Sequence, residues 1–114
     1  VIEVLLEPHV TSEQTKQGFD PDELMNVLSM VDGYEHIRFR GIMGMATFTD
    51  DEAVVRSDFS RIKALADTIR EVYPGLVSDF TELSIGMSDD YPIAVEYGST
   101  MVRIGSMIFG KRNY

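Results

Sequence analysis

Four times along this chain a short apolar run precedes a helical pattern, and that alternation leaves few folds open. Val1, Ile2, Val4, Leu5 and Leu6, broken only by Glu3, read as a strand over residues 1–6 that is buried on both faces, as in a parallel sheet. Residues 36–46, with Phe39, Ile42, Met43 and Met45, form the second strand region, 83–86 the third and 101–105 the fourth. Asp20-Pro21-Asp22-Glu23 opens the first helix: Asp20 can cap, Pro21 suits the first helical position, and Glu23 stands where a capping box wants an acid. Leu24, Val27, Leu28 and Val31 then recur on one face until Asp32-Gly33. Thr49-Asp50-Asp51-Glu52 repeats the capping-box pattern ahead of the longest helix. Its core stripe is Val55, Phe59, Ile62, Leu65, Ala66, Ile69 and Tyr73, and Pro74-Gly75 ends it. Residues 89–97 make a short third helix with Ile93 and Ala94 inward, and residues 106–109 a single turn.

Strands alternating with helices imply parallel pairing through right-handed crossovers. The predicted fold is therefore α/β, a (βα)4 unit equal to half of a TIM-type (β/α)8 barrel, which takes about 250 residues against the 114 here. Residues 1–114 read as a single domain. Four parallel strands alone leave two open edges and one bare face. The chain also begins at Val1, inside a strand. Both features lead us to expect either a segment of a longer protein or a partner that covers the sheet.

The net charge of −9 argues against duplex DNA or an anionic membrane as partner, since phosphates would be repelled. No cysteine is present, so neither a disulfide framework nor a thiolate metal site is expected, and His9 and His36 lack a neighbouring ligand pattern. No apolar run approaches the roughly 18 residues of a membrane span, and no signal-peptide layout is visible. A cytoplasmic setting is the expectation.

Ligands of parallel α/β folds gather at the carboxyl ends of the strands. Three points qualify: Met43 to Ala46, Gly86-Met87-Ser88 and Gly105-Ser106. Gly105 lets backbone N–H groups approach an anion, Ser106 and the turn after it can donate to phosphate oxygens, and Ser88 can donate from the neighbouring loop. The plainer reading, which spacing alone favours, is that Ser88 caps a helix and Gly105 turns the chain. Asp89 and Asp90 suit the start of their own helix but would repel phosphate, which places a dianion nearer Gly105 and Ser106. Arg103 alternates with Val102 and Ile104; if those two pack on helices, Arg103 points into the barrel and needs either a structural carboxylate or a ligand acceptor. Gly98-Ser99-Thr100 falls at a helix-to-strand junction, the bottom of a barrel, where helix termination explains it. Lys16, on a loop of the active face, reads as a solvated lysine rather than a covalent anchor. Met43 and Met45 at period two read as core.

The segment LSIGMSDDYPIAVEYGSTMVRIGSMIFGKRNY resembles the carboxyl-terminal end of the YggS family of pyridoxal 5′-phosphate (PLP) homeostasis proteins, within the alanine racemase N-terminal barrel group. The family pattern GMSxD followed by GSTxVRIGxxIFG is matched from Gly86 to Asp90 and from Gly98 to Gly110. VLLEPHVTSEQTKQGF and RFRGIMGMATF resemble the family's fifth and sixth strands, so the resemblance covers essentially the whole chain. It implies that Ser88, Gly105 and Ser106 hold the PLP phosphate and that Arg103 faces the pyridine nitrogen. A permanent cation there keeps the nitrogen unprotonated and weakens the ring as an electron sink, in keeping with a carrier or regulator rather than an enzyme. The lysine that links to the cofactor aldehyde in this family lies on a strand preceding Val1; Lys16, Lys63 and Lys111 match none of it. Two alternatives stay open: a structural half-barrel that pairs with itself, and a remnant of an amino-acid racemase-type enzyme, for which nothing here supplies the second base.

Overall fold

The computed structural model describes residues 2–9, 18–30, 33, 35–76, 78–105 and 108. Strands β1 (Ile2–Leu6), β2 (Ile37–Met43), β3 (Glu82–Met87) and β4 (Met101–Arg103) lie parallel in one sheet in chain order. Helices α1 (Pro21–Ser29), α2 (Glu52–Val72) and α3 (Tyr91–Glu96) follow the first three strands. This is the four-strand (βα) arrangement of a half-barrel that the pattern predicts. The predicted turn over residues 106–109 lies, except for Ile108, outside the described residues.

The helices cover one face of the sheet. Leu6, Phe39, Ile42, Leu83 and Ile85 from the strands meet Leu24 and Leu28 of α1, Val55, Phe59, Ile62 and Ile69 of α2, and Ala94 of α3. The expected stripe of α2 is thus its buried face, with Leu65 and Ala66 at its margin. Phe59 also stands 6.4 Å from the ring of Tyr97 at a tilt of 51°, which docks α3 on α2. Among the described residues no helix is long and apolar enough to cross a membrane.

Three expectations need correcting. β1 is not buried on both faces: Ile2 is 67% exposed and Glu3 is exposed as well, because the helices cover only one face of the sheet and β1 lies at its edge. Asp20 takes the N-cap position of α1, but its carboxylate makes no cap hydrogen bond. At α2 the cap sits two residues later than the capping-box pattern puts it. Thr49 Oγ1 accepts from the Asp51 amide (3.1 Å), and Asp51 Oδ1 accepts from Ala53 N–H (3.0 Å). An acid two residues nearer the first turn satisfies its orphan amides directly.

The β1–β2 register slips between Val4 and Leu5, so that Leu5 pairs with Gly41 and Arg40 is passed over. A second irregularity falls between Ser84 and Met87 in the β3–β4 pair. There Gly86 has φ +104°, and a Cβ on it would stand 2.7 Å from the Ala94 Cβ, so only glycine lets α3 pack this close.

Candidate functional site at the carboxyl ends of the strands

The site grows from the register of β3 and β4. Met87 pairs with Arg103, so Ser88 and Ile104-Gly105 emerge side by side where the two strands end. β4 stops at Arg103, two residues short of the predicted Gly105, which leaves Gly105 in the loop beyond. Gly105 is exposed, and an added Cβ would meet nothing within 4 Å. Ser88 is half-buried. Ser106 lies outside the described residues, as do Lys16 and Lys111.

Arg103 is turned back over the sheet. Its Nη2 donates to the Gly44 carbonyl at 2.7 Å, reaching past β3 to the loop that follows β2. Its Nε is buried and has no hydrogen-bond partner among the described residues. A guanidinium offers five N–H donors in a fixed plane, so one is spent on Gly44 and a buried one is left unpaired. Val102, its neighbour, lies on the α3 side, within 3.3 Å of where a Gly86 Cβ would be. Strand alternation then puts Arg103 on the face opposite the helices, although Val102 itself is 39% exposed.

Gly44 was one of the three candidate points, but its contribution is a main-chain carbonyl that sequence reasoning did not single out. Its own amide donates to the Ser84 carbonyl (3.0 Å), and a Cβ on it would stand 2.5 Å from Ile62 Cδ1. Downstream, the Thr47 amide and hydroxyl both donate to Asp58 Oδ2 at 2.7 Å. Asp58 is 3% exposed. It stands on the inward stripe of α2, three residues after Val55, and an acid on that stripe was the signal available in the sequence. Met45 is 36% exposed, so the pair Met43 and Met45 is not the core pair expected.

The Ser88 loop is closed by Asp90, whose Oδ1 accepts from the Met87 amide (2.8 Å) while its own amide donates to the Met87 carbonyl (3.2 Å). The carboxylate thus braces the turn instead of capping α3. At the opposite end, Ser99 Oγ donates to the Ile85 carbonyl (2.7 Å), and Thr100 Oγ1 accepts from the Leu83 amide (2.8 Å). With Gly98 at φ +88°, Gly98-Ser99-Thr100 is helix termination and strand entry, as predicted.

On the far side of α2, Arg56 bridges Glu52 (2.8 Å) and Glu96 (2.5 Å) and so ties α3 to α2. Hydrogen bonds to Glu96 foremost, then to Glu52 and Tyr97, raise the guanidinium pKa further above its ordinary value. Lys63 pairs with Asp67 at 3.2 Å. A cavity of about 330 Å³ on the inner face is lined by Glu3, Val4, Leu5, Arg40, Glu82 and Met101. It lies nearer the amino ends of the strands, with Arg103 two residues beyond Met101 on the same face. Among the described residues no group of three or more His, Asp or Glu could hold a metal ion.

Comparison with known proteins gives this geometry its context. The profile of the alanine racemase N-terminal domain family matches residues 2–113. The pyridoxal phosphate homeostasis protein of Haemophilus influenzae is 36% identical over 113 residues, which cover 99% of this chain and 47% of that protein. The one from Aquifex aeolicus is 32% identical over 114 residues, covering 100% and 49%. The chain therefore spans about half the length of the curated relatives it matches. Among solved structures, PipY of Synechococcus elongatus without PLP superposes with a TM-score of 0.84 at 30% identity, over 95% of this chain and 49% of PipY. PipY with PLP bound superposes at 0.81, with the same identity and coverage. From the profile over nearly its whole length, the chain belongs to the alanine racemase N-terminal domain family, and its relatives include pyridoxal phosphate homeostasis proteins.

Proposed function

We propose that this chain forms the carboxyl-terminal half of a PLP-binding barrel of the homeostasis type, a single domain in the cytoplasm that carries or regulates the cofactor without robust catalysis. The observation that carries the reading is Arg103: a guanidinium held inward at the carboxyl end of the sheet, with one donor on Gly44 and a buried Nε without a partner among the described residues. A ring nitrogen is the kind of acceptor such a donor wants. The exposed Gly105 backbone and the Ser88 hydroxyl, with Ser106 beyond them, would hold the phosphate. PLP is the group bound in the related PipY.

PLP supplies an electron-withdrawing ring and an aldehyde that reacts with amines. This chain's residues would determine how far the ring acts. A guanidinium is a permanent cation, so it donates to the ring nitrogen without protonating it, and the ring stays a weak electron sink. Gly105 lets main-chain amides approach the phosphate, and Ser88 adds a hydroxyl donor. Lys63, the lysine among the described residues, is paired with Asp67 on α2 and does not match the family's aldehyde-linking lysine. The exposed edge strands and the charged inner face suit coverage by the other half of the barrel.

A PLP titration followed by absorbance tests the reading. Arg103→Leu raises the dissociation constant by roughly 10-fold or more, the worth of a hydrogen bond to a charged group. Equal affinity in wild type and variant would overturn the assignment. Borohydride reduction followed by peptide mapping labels no lysine; a label on Lys16 would restore it as a covalent anchor.

A further inference from the structure

Asp58 is a buried carboxylate that the proposed PLP chemistry does not use. It occupies a position on the core stripe of α2 that an apolar side chain would fill at no electrostatic cost, and burying a charge there is unfavourable unless it is hydrogen-bonded. Its Oδ2 receives two donors from one residue, the amide and the hydroxyl of Thr47, both at 2.7 Å. Charge-assisted bonds of this kind are about twice as strong as neutral ones. They fasten the loop after β2 at Thr47, three residues beyond Gly44. The strand side of Gly44 is fastened independently by its amide on the Ser84 carbonyl. The Gly44 carbonyl is thus held from both directions, and it is the acceptor for Arg103 Nη2.

We infer that Asp58 and Thr47 form a clamp that sets the orientation of the Arg103 guanidinium through the Gly44 carbonyl. They are positioning residues. The guanidinium is planar, so fixing one N–H fixes the direction of the others, including the buried Nε–H. A donor aimed in advance loses less freedom on meeting its acceptor. The consequence for PLP rests on the reading of Arg103 as the ring-nitrogen contact; the clamp itself does not.

The test follows Arg103 Nε–H by ¹⁵N NMR of the full chain, first without ligand and then with PLP as the probe. Thr47→Val removes the hydroxyl at constant shape, and Asp58→Leu removes the acceptor. Thr47→Ser and Asp58→Asn keep a hydroxyl and an acceptor oxygen as conservative rescues. Losing the hydroxyl bond in Thr47→Val is expected to speed exchange of Arg103 Nε–H with water about 10-fold, and losing both bonds in Asp58→Leu to speed it at least as much, with PLP affinity falling in step and both values near wild type in the rescues. A merely structural Asp58 would alter stability and leave the Arg103 signal in place. An unchanged Arg103 signal in folded Thr47→Val overturns the clamp, including in the case where Asp58→Leu does not fold. If the Arg103 signal moves with the clamp while PLP affinity is indifferent even to Arg103→Leu, the clamp stands and the PLP reading falls.

Discussion

The two faces of the sheet are built on opposite plans. Toward the helices, Ile42 and Ile85 are fully buried against Phe59 and Ile62, and the strands put no charge there, while Asp58 of α2 is hydrogen-bonded to Thr47. On the other face Glu3, Arg38, Arg40 and Glu82 alternate with small or apolar residues, and their ion pairs are long. Arg38–Glu3 is 3.6 Å, Arg40–Glu3 3.8 Å and Arg38–Asp79 3.9 Å, between side chains about one-third to one-half exposed. Pairs of that kind are worth about 0–1 kcal/mol. The helical face therefore makes the fold, while the charged face contributes little to it and carries Arg103 at the carboxyl end of the sheet.

The sharpest way to break this contrast is one large deletion on each face. Phe59→Ala empties the centre of the helical layer and removes the ring beside Tyr97; unfolding free energy in urea should fall by about 3–5 kcal/mol. Arg40→Met on the inner face removes a weak ion pair made by a buried Nε that has no hydrogen bond among the described residues; the same measurement should move by under about 1 kcal/mol. If Arg40→Met costs as much as Phe59→Ala, the charged face holds the fold together and the contrast fails.

The difference also accounts for what could be read in advance. Helical-face positions repeat at steps of three and four in α2, so Val55, Phe59 and Ile62 were visible as core, and the short apolar runs between helical patterns gave the strand–helix alternation. Element ends were less legible, because they depend on single hydrogen bonds: Thr49 and Asp51 compete for the start of α2, and the second of them caps it. At the site, Arg103 stood out as a cation within an apolar strand. Its acceptor did not, since a main-chain carbonyl has no signature and Gly44 lies 59 residues away. Asp58 was hidden for a related reason. An acid on a core stripe gains its meaning only from the loop that folds over it.

Two serines refine the comparison along the strand axis. Ser99 Oγ is committed to the Ile85 carbonyl at the amino-end junction, and Ser88 sits half-buried at the carboxyl end. Ser99→Ala should cost about 1 kcal/mol in urea unfolding, the net worth of one hydrogen bond, and leave PLP affinity alone. Ser88→Ala should weaken PLP several-fold, on the order of one neutral hydrogen bond. A PLP defect in Ser99→Ala and none in Ser88→Ala would place the phosphate at the wrong end of the strands.

The smallest expected change in stability is at Gly105, and it isolates the phosphate claim. A methyl group on Gly86 would collide with Ala94, so a substitution there confounds binding with folding. Gly105 has open space around its missing Cβ and no positive φ, so alanine fits without strain. Gly105→Ala should therefore leave unfolding free energy within about 0.5 kcal/mol of wild type, as at other exposed sites. If main-chain amides close on a phosphate there, the methyl group narrows the approach. The dissociation constant for PLP should then rise while that for pyridoxal, which has no phosphate, stays put. Equal losses for both ligands would mean that the ring, not the phosphate, lies against Gly105. No loss for either would remove Gly105 from the site and leave the phosphate to Ser88 and Ser106, with Arg103 at the ring.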